Sequence, residues 1–444
     1  MHICLIIVNA KRKNMIEEFS FGNFWSFKDI QTLNMSAAKS NSNNDSLDRV
    51  NATHVNNELN LVKAKAIYGA NASGKSNLVR ALAVFVRIIK HCVIEDNLLS
   101  LIDSFQLSTE TISQPTFFQL IFSVGDTRYR YGFNANNHSL KSEWLFSITN
   151  GKEQTLFVRE KNDLIEVNQA HFEEGVLYEK LLGNAKNHIF TDTSLFLTHL
   201  NSIGFAKKSR HIFNAITSIS VISGMKHRGL YDIARDTLTD AAHKKFMVDI
   251  LKMADIGIGD LDTVEVGIVN LPGIVDRKMN QEFDRSKIIV SSRTQYDSKL
   301  RPIGKTEFDF SYQESEGTKK LFELSPFILS SLELGAPLVI DEFDLRFHPL
   351  LVRKILALYN SPENRKAQLV FTTHATNLLS PELLKRDQID FVEKDKYGAS
   401  HIYSLIEMKG IQEDASFEQN YLHGKYGGIP LLRDFTDLIP FDKA

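Results

Sequence analysis

The stretch 69-GANASGKSNLVRAL-82 decides how the rest of the chain is read. Its form is Gly69-x4-Gly74-Lys75-Ser76, set between an apolar run at 60–68 and a run at 75–92 with helical spacing. A strand before and a helix after are the context in which this pattern means a phosphate-binding loop. Glycines let backbone N–H groups come close to phosphate oxygens, and the helix start adds positive potential. Lys75 supplies a point charge for the β- and γ-phosphates, and the Ser76 hydroxyl is a hard-oxygen ligand for Mg²⁺. Gly69, Ala70, Asn71, Ala72, Ser73, Gly74, Lys75, Ser76 and Asn77 are therefore the expected phosphate-binding loop. A glycine-rich turn capping a core helix is the bland alternative.

Working outward, the chain has 444 residues, 43% hydrophobic and 24% charged, which suits a soluble globular protein with one large or two medium domains. A net charge of -2 gives no bulk attraction to nucleic acid. Two local basic patches, Lys207-Lys208-Ser209-Arg210-His211 and Lys226-His227-Arg228, leave nucleic acid open as a partner, although solvated helix faces are the simpler reading. Cys4 and Cys92 form no metal-ligand or disulfide pattern and suit a reducing cytoplasm. No apolar run approaches the roughly 18 residues of a membrane span, so a cytoplasmic location without a membrane partner is expected. The start, MHICLIIVNAKRKN, lacks the basic segment and cleavage-site residues of a signal peptide, and Met15 is an alternative to Met1 as the first residue.

The organisation falls into three parts. Residues 1–170 read as a β-rich lobe carrying the loop, with a hairpin over 115–134 turning at Gly125-Asp126. Residues 171–260 carry helical spacing and read as an inserted helical part, a candidate partner or sensor surface. Residues 261–444 return to strands and then alternate: helix 316–334, strand 337–341, helix 349–359, strand 367–373, helix 375–385, strand 389–394 and strand 401–405. That alternation predicts an α/β layer with parallel strands.

Three further pieces carry chemistry. In 337-PLVIDEFDLRFHP-349 an apolar strand delivers Asp341 and Glu342 at its C-terminal edge, where α/β folds place ligands. Asp341 is then the Mg²⁺ carboxylate and Glu342 the general base for water. An acidic strand end at a solvated surface is the alternative. In 367-AQLVFTTHATNLLS-380 a second buried strand ends at His374, which would reach the γ-phosphate from a neighbouring strand; a capping or core histidine is the plainer reading. In 313-QESEGTKKLFELSPFILSSLEL-334 the small residues Ser315 and Gly317 open a helix and could hold an anion there. A serine N-cap with Glu316 in the first turn satisfies the same letters.

The order of these pieces resembles the ABC-type ATPases, and within them the chromosome-maintenance and RecF-like branch. The resemblance runs from FSFGNFWSFKDIQTLNM to the C-terminus and includes RDQIDFVEKDKYGASHIYSL and 420-NYLHGKYGGIP-430. It is closest to the AAA-family ATPases called RloA-like or abortive-infection ATP-binding proteins, with the ATPase subunit of PARIS-type anti-phage systems nearby. The resemblance implies an ABC-type P-loop head, a β lobe plus a parallel-sheet α/β lobe with a helical insertion. It implies ATP and Mg²⁺, with Ser76 and Asp341 on the metal, Glu342 and His374 in catalysis, and Ser315 and Gly317 on the γ-phosphate of an opposite subunit. Asp344 would communicate across that dimer. Four departures stand out: Trp25 where relatives carry Arg, Arg346-Phe347 in place of a small polar pair, Glu316 and Thr318 in the signature, and no firmly placed Mg²⁺-linking glutamine among Gln106, Gln114 and Gln119.

The family therefore implies a homodimer or higher oligomer sandwiching ATP, hydrolysing it slowly, and regulating a separately encoded effector, such as a nuclease or toxin. About 240 residues separate Ser76 from Ser315, too few for a long coiled coil. A RecF-like DNA-repair ATPase is the second reading. A transporter subunit is the third, disfavoured by the divergent signature.

Overall fold

A computed structural model of the chain describes residues 14–38, 50–56, 59–182, 191–202, 206–223, 229–254, 257–265, 287–411 and 415–430. Met1, Cys4 and the patch Lys226-His227-Arg228 lie outside the described residues.

A six-stranded sheet carries the site. Its order is Ser220–Ile222, Leu338–Ile340, Leu369–Thr372, Ala64–Tyr68, Ile389–Lys394 and Ser400–Ser404. The first five strands run parallel and the last is antiparallel. The three central strands are buried throughout, as strands covered on both faces must be. The register pairs Ile340 with Phe371 and Thr372 with Ile67. The strand ending at His374 therefore lies between the strand that ends in the acid pair and the one that feeds the phosphate loop, and the three C-terminal ends lie side by side.

Strand alternation sends side chains into two cores. Ile67, Val339, Val370 and Val392 face one core, which holds the loop helix Lys75–His91. Ala64, Ala66, Tyr68, Leu338, Ile340, Leu369, Phe371, Ile389 and Phe391 face the other, which holds the helices Glu316–Leu334 and Pro349–Tyr359.

The loop helix buries its apolar stripe, including Leu78, Leu82, Phe85 and Ile89, against a seven-stranded antiparallel sheet as well. That sheet runs in the order Asp163–Val167, Lys152–Glu160, Leu140–Thr149, Thr127–Ala135, Thr116–Val124, Asn14–Gly22 and Gln31–Asn34. Phe85 of the helix stacks on Phe133 at 5.5 Å and meets Phe19 at 5.5 Å, so aromatic side chains fill the layer. The expected hairpin is present, with Gly125 at φ 63° in its two-residue turn.

The helical segment is present but woven into both cores. Phe196, Leu197, Leu200, Ile212 and Ile216 join the core of the loop helix. Ala234, Leu238, Met247, Val248 and Leu251 join the core of the Glu316–Leu334 helix. Between them Ser220–Ile222 supplies the edge strand of the six-stranded sheet, an element the helical spacing had concealed. A three-stranded antiparallel sheet follows, Asp260–Glu265, Lys287–Tyr296 and Pro302–Asp309.

One expected element is corrected. In place of a helix over 375–385 there is only a short turn, Thr376–Leu378. Pro381 disfavours helical backbone at Ser380 and its own ring ends the run. The fold as a whole is α/β, a β-rich antiparallel lobe and a parallel-sheet lobe joined through the loop helix, as expected of an ABC-type head.

Candidate nucleotide site

The phosphate loop owes its shape to two glycines. Gly69 and Gly74 have φ 155° and 119°, and a Cβ on Gly69 would lie 2.4 Å from the Val392 carbonyl oxygen. On Gly74 it would lie 2.5 Å from Ser400 Oγ. Neither site accepts a side chain without displacing the neighbouring strand. The helix starts at Gly74 with no side-chain cap. Lys75 is buried, and its Nζ donates to the carbonyl oxygens of Gly69 at 2.8 Å and Ala70 at 3.0 Å. Burial lowers its pKa, while Asp341, Glu342 and Asp344 pull it back up. Ser76 is exposed at the loop, Asn77 Nδ2 donates to Ser26 Oγ at 2.9 Å, and the buried Ser73 Oγ has no hydrogen-bond partner among the described residues.

The acid pair is organised by the neighbouring strand. Thr372, buried at its end, donates its hydroxyl to Asp341 Oδ1 and accepts from the Glu342 backbone N–H at 2.7 Å. Glu342 has φ 51°, a left-handed conformation that a non-glycine residue adopts only when its surroundings hold it there. The holding groups are visible on both sides of the residue: Thr372 takes its N–H, and Lys320 Nζ donates to its carbonyl oxygen at 3.0 Å. Lys320 also donates to the Leu345 carbonyl at 2.8 Å, and burial lowers its pKa to about 8. His374 follows on the same edge, its N–H facing Asp344 Oδ1 at 3.4 Å. Burial and the Lys75 charge depress its pKa against the pull of Asp344, Glu342 and Asp341, which keeps the imidazole neutral around pH 7.

Lys75, Asp341, Glu342, Asp344 and His374 thus form one electrostatic cluster in a single chain. Ser315 and Gly317 open the helix whose Lys320 holds the Glu342 backbone. Ser315 Oγ accepts from the Thr318 N–H at 3.1 Å, so the N-cap reading of these letters is realised. Gly317 lies against the loop after the acid pair, where a Cβ would come within 2.8 Å of the Arg346 carbonyl oxygen. Arg346, at φ 70°, pairs with Glu316 at 2.6 Å, which gives two of the sequence departures a common role: they tie the helix start to that loop. Among the described residues, no hydrogen bond links Ser315 or Gly317 to the phosphate loop.

Residue types alone missed Thr372 and Lys320. The doubled threonine before His374 was the available signal for the first; nothing local marks the second, because its partners are backbone carbonyls. Trp25, at φ 50° and 38% exposed, packs its ring 4.2 Å under the guanidinium of Arg80 on the loop helix. Of the candidate glutamines, Gln119 accepts from Arg130 and Trp144 within the antiparallel sheet, and Gln106 donates to Ser104. In the first basic patch, the Lys208 and Ser209 backbone N–H groups donate to the Glu174 carboxylate and Lys208 Nζ to the His171 carbonyl, so the patch begins a helix anchored to its neighbour. The donor set at the cluster, a serine hydroxyl and a buried carboxylate, consists of hard oxygens that fit Mg²⁺.

The family described as "AAA domain, putative AbiEii toxin, Type IV TA system" matches residues 66–247 and 269–380, more than half of the 444 residues, and stops short of the segment 417–430. No curated protein matches the chain. Among solved structures, an SMC head bound to the C-winged helix domain of ScpA is 14% identical over 88% of this chain and 97% of its own, with a TM-score of 0.46. The SMC head domain from Thermotoga maritima is 12% identical over 88% and 98%, with a TM-score of 0.39. An Smc head with an extended coiled coil, bound to the C-terminal domain of ScpA and derived from Pyrococcus furiosus, is 14% identical over 93% and 99%, with a TM-score of 0.41.

Proposed function

The chain belongs to the AbiEii-type AAA-domain family, a family of P-loop ATPases, and from that premise we propose that it is an ATP-hydrolysing switch completed by a second copy of itself. The observation that carries the proposal is the division of the site. One chain gathers Lys75, Asp341, Glu342, Asp344 and His374, while the helix start at Ser315 and Gly317 lies against the loop after the acid pair and, among the described residues, makes no hydrogen bond to the phosphate loop. In a head-to-tail dimer the Ser315 helix of one copy faces the phosphate loop of the other.

The roles follow from the geometry. The loop N–H groups and Lys75 hold the phosphates. Ser76 and Asp341 are the residues that would hold Mg²⁺, which supplies charge neutralisation on the phosphate oxygens. Glu342, fixed by Thr372 and Lys320, takes the proton of the attacking water, and the neutral His374 orients on the γ-phosphate. Hydrolysis removes the contacts that hold the two copies together, so the ATP-bound dimer is the signalling state.

The biological role proposed is anti-phage defence, with dimerisation controlling a separately encoded toxic effector; the toxin–antitoxin description of the family supports it. No helix of the described residues is long and apolar enough to cross a membrane. The test is the solution mass of Glu342→Gln with and without MgATP. A doubled mass with MgATP, abolished by adding Lys75→Ala, is the expected result; an unchanged mass would overturn the switch.

A further inference from the structure

The segment 420-NYLHGKYGGIP-430 has no part in the site described so far, yet it lies against it. It comprises the end of the short helix Phe417–Leu422 and a turn with Gly424, Gly427 and Gly428 all at positive φ. Tyr421 is nearly buried, its ring 5.8 Å from Tyr68, the last residue of the strand feeding the phosphate loop, and 5.5 Å from Phe391. Its hydroxyl donates to the Gly428 carbonyl at 3.1 Å, which holds the turn against Gly69, the first residue of the loop. A Cβ built on Gly428 would stand 3.6 Å from Gly69 Cα. The turn is itself locked, because the Tyr403 hydroxyl donates to the Tyr426 carbonyl at 2.8 Å and Gly427 has no room for a side chain beside Tyr403 and Glu393.

The start of the helix Phe417–Leu422 reaches the backbone just after the histidine. Glu418 Oε1 accepts from the Thr376 hydroxyl at 2.7 Å, two residues after His374. Tyr68 closes the circuit by donating its hydroxyl to the Ala375 carbonyl at 3.2 Å. The segment thus touches the beginning of the phosphate loop through Gly428, held there by Tyr421, and the backbone after His374 through Glu418.

We propose that the helix-turn 417–428 is a brace that fixes the phosphate loop and the His374 loop relative to each other, with Tyr421 and Glu418 as positioning residues for nucleotide hydrolysis. The inference rests on the ATPase reading above. The two contacts have separable consequences. Removing the Tyr421 hydroxyl releases the Gly428 turn packed against Gly69 and loosens a loop that grips ground state and transition state alike, which raises KM and leaves kcat. Freeing Thr376 loosens only the histidine, which lowers kcat and leaves KM.

The experiment is steady-state MgATP hydrolysis by the full chain. Tyr421→Phe keeps the ring stack and is expected to raise KM about fivefold or more, with kcat within about twofold of the parent. Thr376→Val and Glu418→Ala are each expected to lower kcat by about threefold or more at constant KM, and the pair together no further than either alone. A residue that merely supports the fold would lower the active fraction, leaving KM unmoved in Tyr421→Phe and making the pair additive; that result overturns the brace. The Thr376 and Glu418 variants carry the test by themselves if Tyr421→Phe does not fold. If the parent chain shows no hydrolysis sensitive to Lys75→Ala, the ATPase reading fails and the brace with it. If that hydrolysis is present and Tyr421→Phe leaves KM unchanged, the brace alone fails.

Discussion

In the seven-stranded sheet, Glu143 and Arg159 face each other with side chains 1% exposed, and their surroundings saturate them. Glu143 accepts from the Tyr131 hydroxyl at 2.9 Å and from the N–H groups of Phe196 and Leu197 at 2.7 and 3.0 Å; Arg159 donates to the Lys161 and Ser194 carbonyls. The pair rivets the sheet to the helix Phe196–Ser202. At the C-terminal edge of the six-stranded sheet the same residue types are handled differently. Asp341, Glu342 and Asp344 gather around Lys75, which spends its hydrogen bonds on loop carbonyls, and Glu342 is held in a left-handed conformation. The interior of that sheet behaves like the other one, since Lys65 and Asp390 form a pair at 3.0 Å with both side chains 3% exposed. Position along the strand, not the sheet, decides whether charge is satisfied in place or kept oriented toward the edge.

The sharpest way to break this comparison is to remove charge from each region and ask what is lost. Glu342→Gln is expected to lower the hydrolysis rate by roughly 10²–10⁴-fold, the range for a general base, while the urea midpoint stays at the parent value. A large loss of stability with little loss of rate would reverse the assignment. Glu143→Ala should do the opposite, costing about 3–5 kcal/mol of unfolding free energy because it strands a buried Arg159, with the KM of the folded fraction unchanged.

Lys320→Met tests the tether on the Glu342 backbone. A fall in kcat of about tenfold at constant KM is expected, smaller than the loss of the base itself. The Lys320 ammonium, with its pKa near 8, is charged below that pH and loses its charge above it, so the parent rate should decline as pH rises through about 8. Lys320→Met should lack that decline. The smallest effect concerns His374. Its depressed pKa means the unfolded chain takes up its proton first, so its contribution to stability is present above pH 6.5 and is lost as pH falls through the unfolded value toward the folded one. Comparing urea midpoints at pH 7.5 and 5.5 for parent and His374→Gln should show a slightly shallower pH dependence in the variant.

What the sequence made legible follows from how local each signal is. The phosphate loop is readable because its shape depends on glycines at fixed spacing, and the helices Glu316–Leu334 and Pro349–Tyr359 because a serine cap and a Pro at the first position mark their starts. The strand Ile389–Lys394 shows as a short apolar run between a turn and a charged stretch. Ser220–Ile222 did not show, because three residues of edge strand carry too little alternation to stand out within helical spacing. Lys320 did not show either: its function is defined by two carbonyls 22 and 25 residues away, which no spacing rule reports. The segment around Tyr421 showed only as one of the stretches that carry the family resemblance, and its meaning depends on what it packs against at Tyr68 and Gly69.

The central claim is that each site is shared between two copies, and mixing two inactive variants tests it most directly. Lys75→Ala disables the phosphate loop; Ser315→Arg places a bulky charge at the exposed helix start that faces the other copy. If the site forms between copies, an equal mixture regains about a quarter of the parent MgATP hydrolysis rate, since half the dimers are mixed and each has one intact site. A mixture as inactive as its two components would contradict the account.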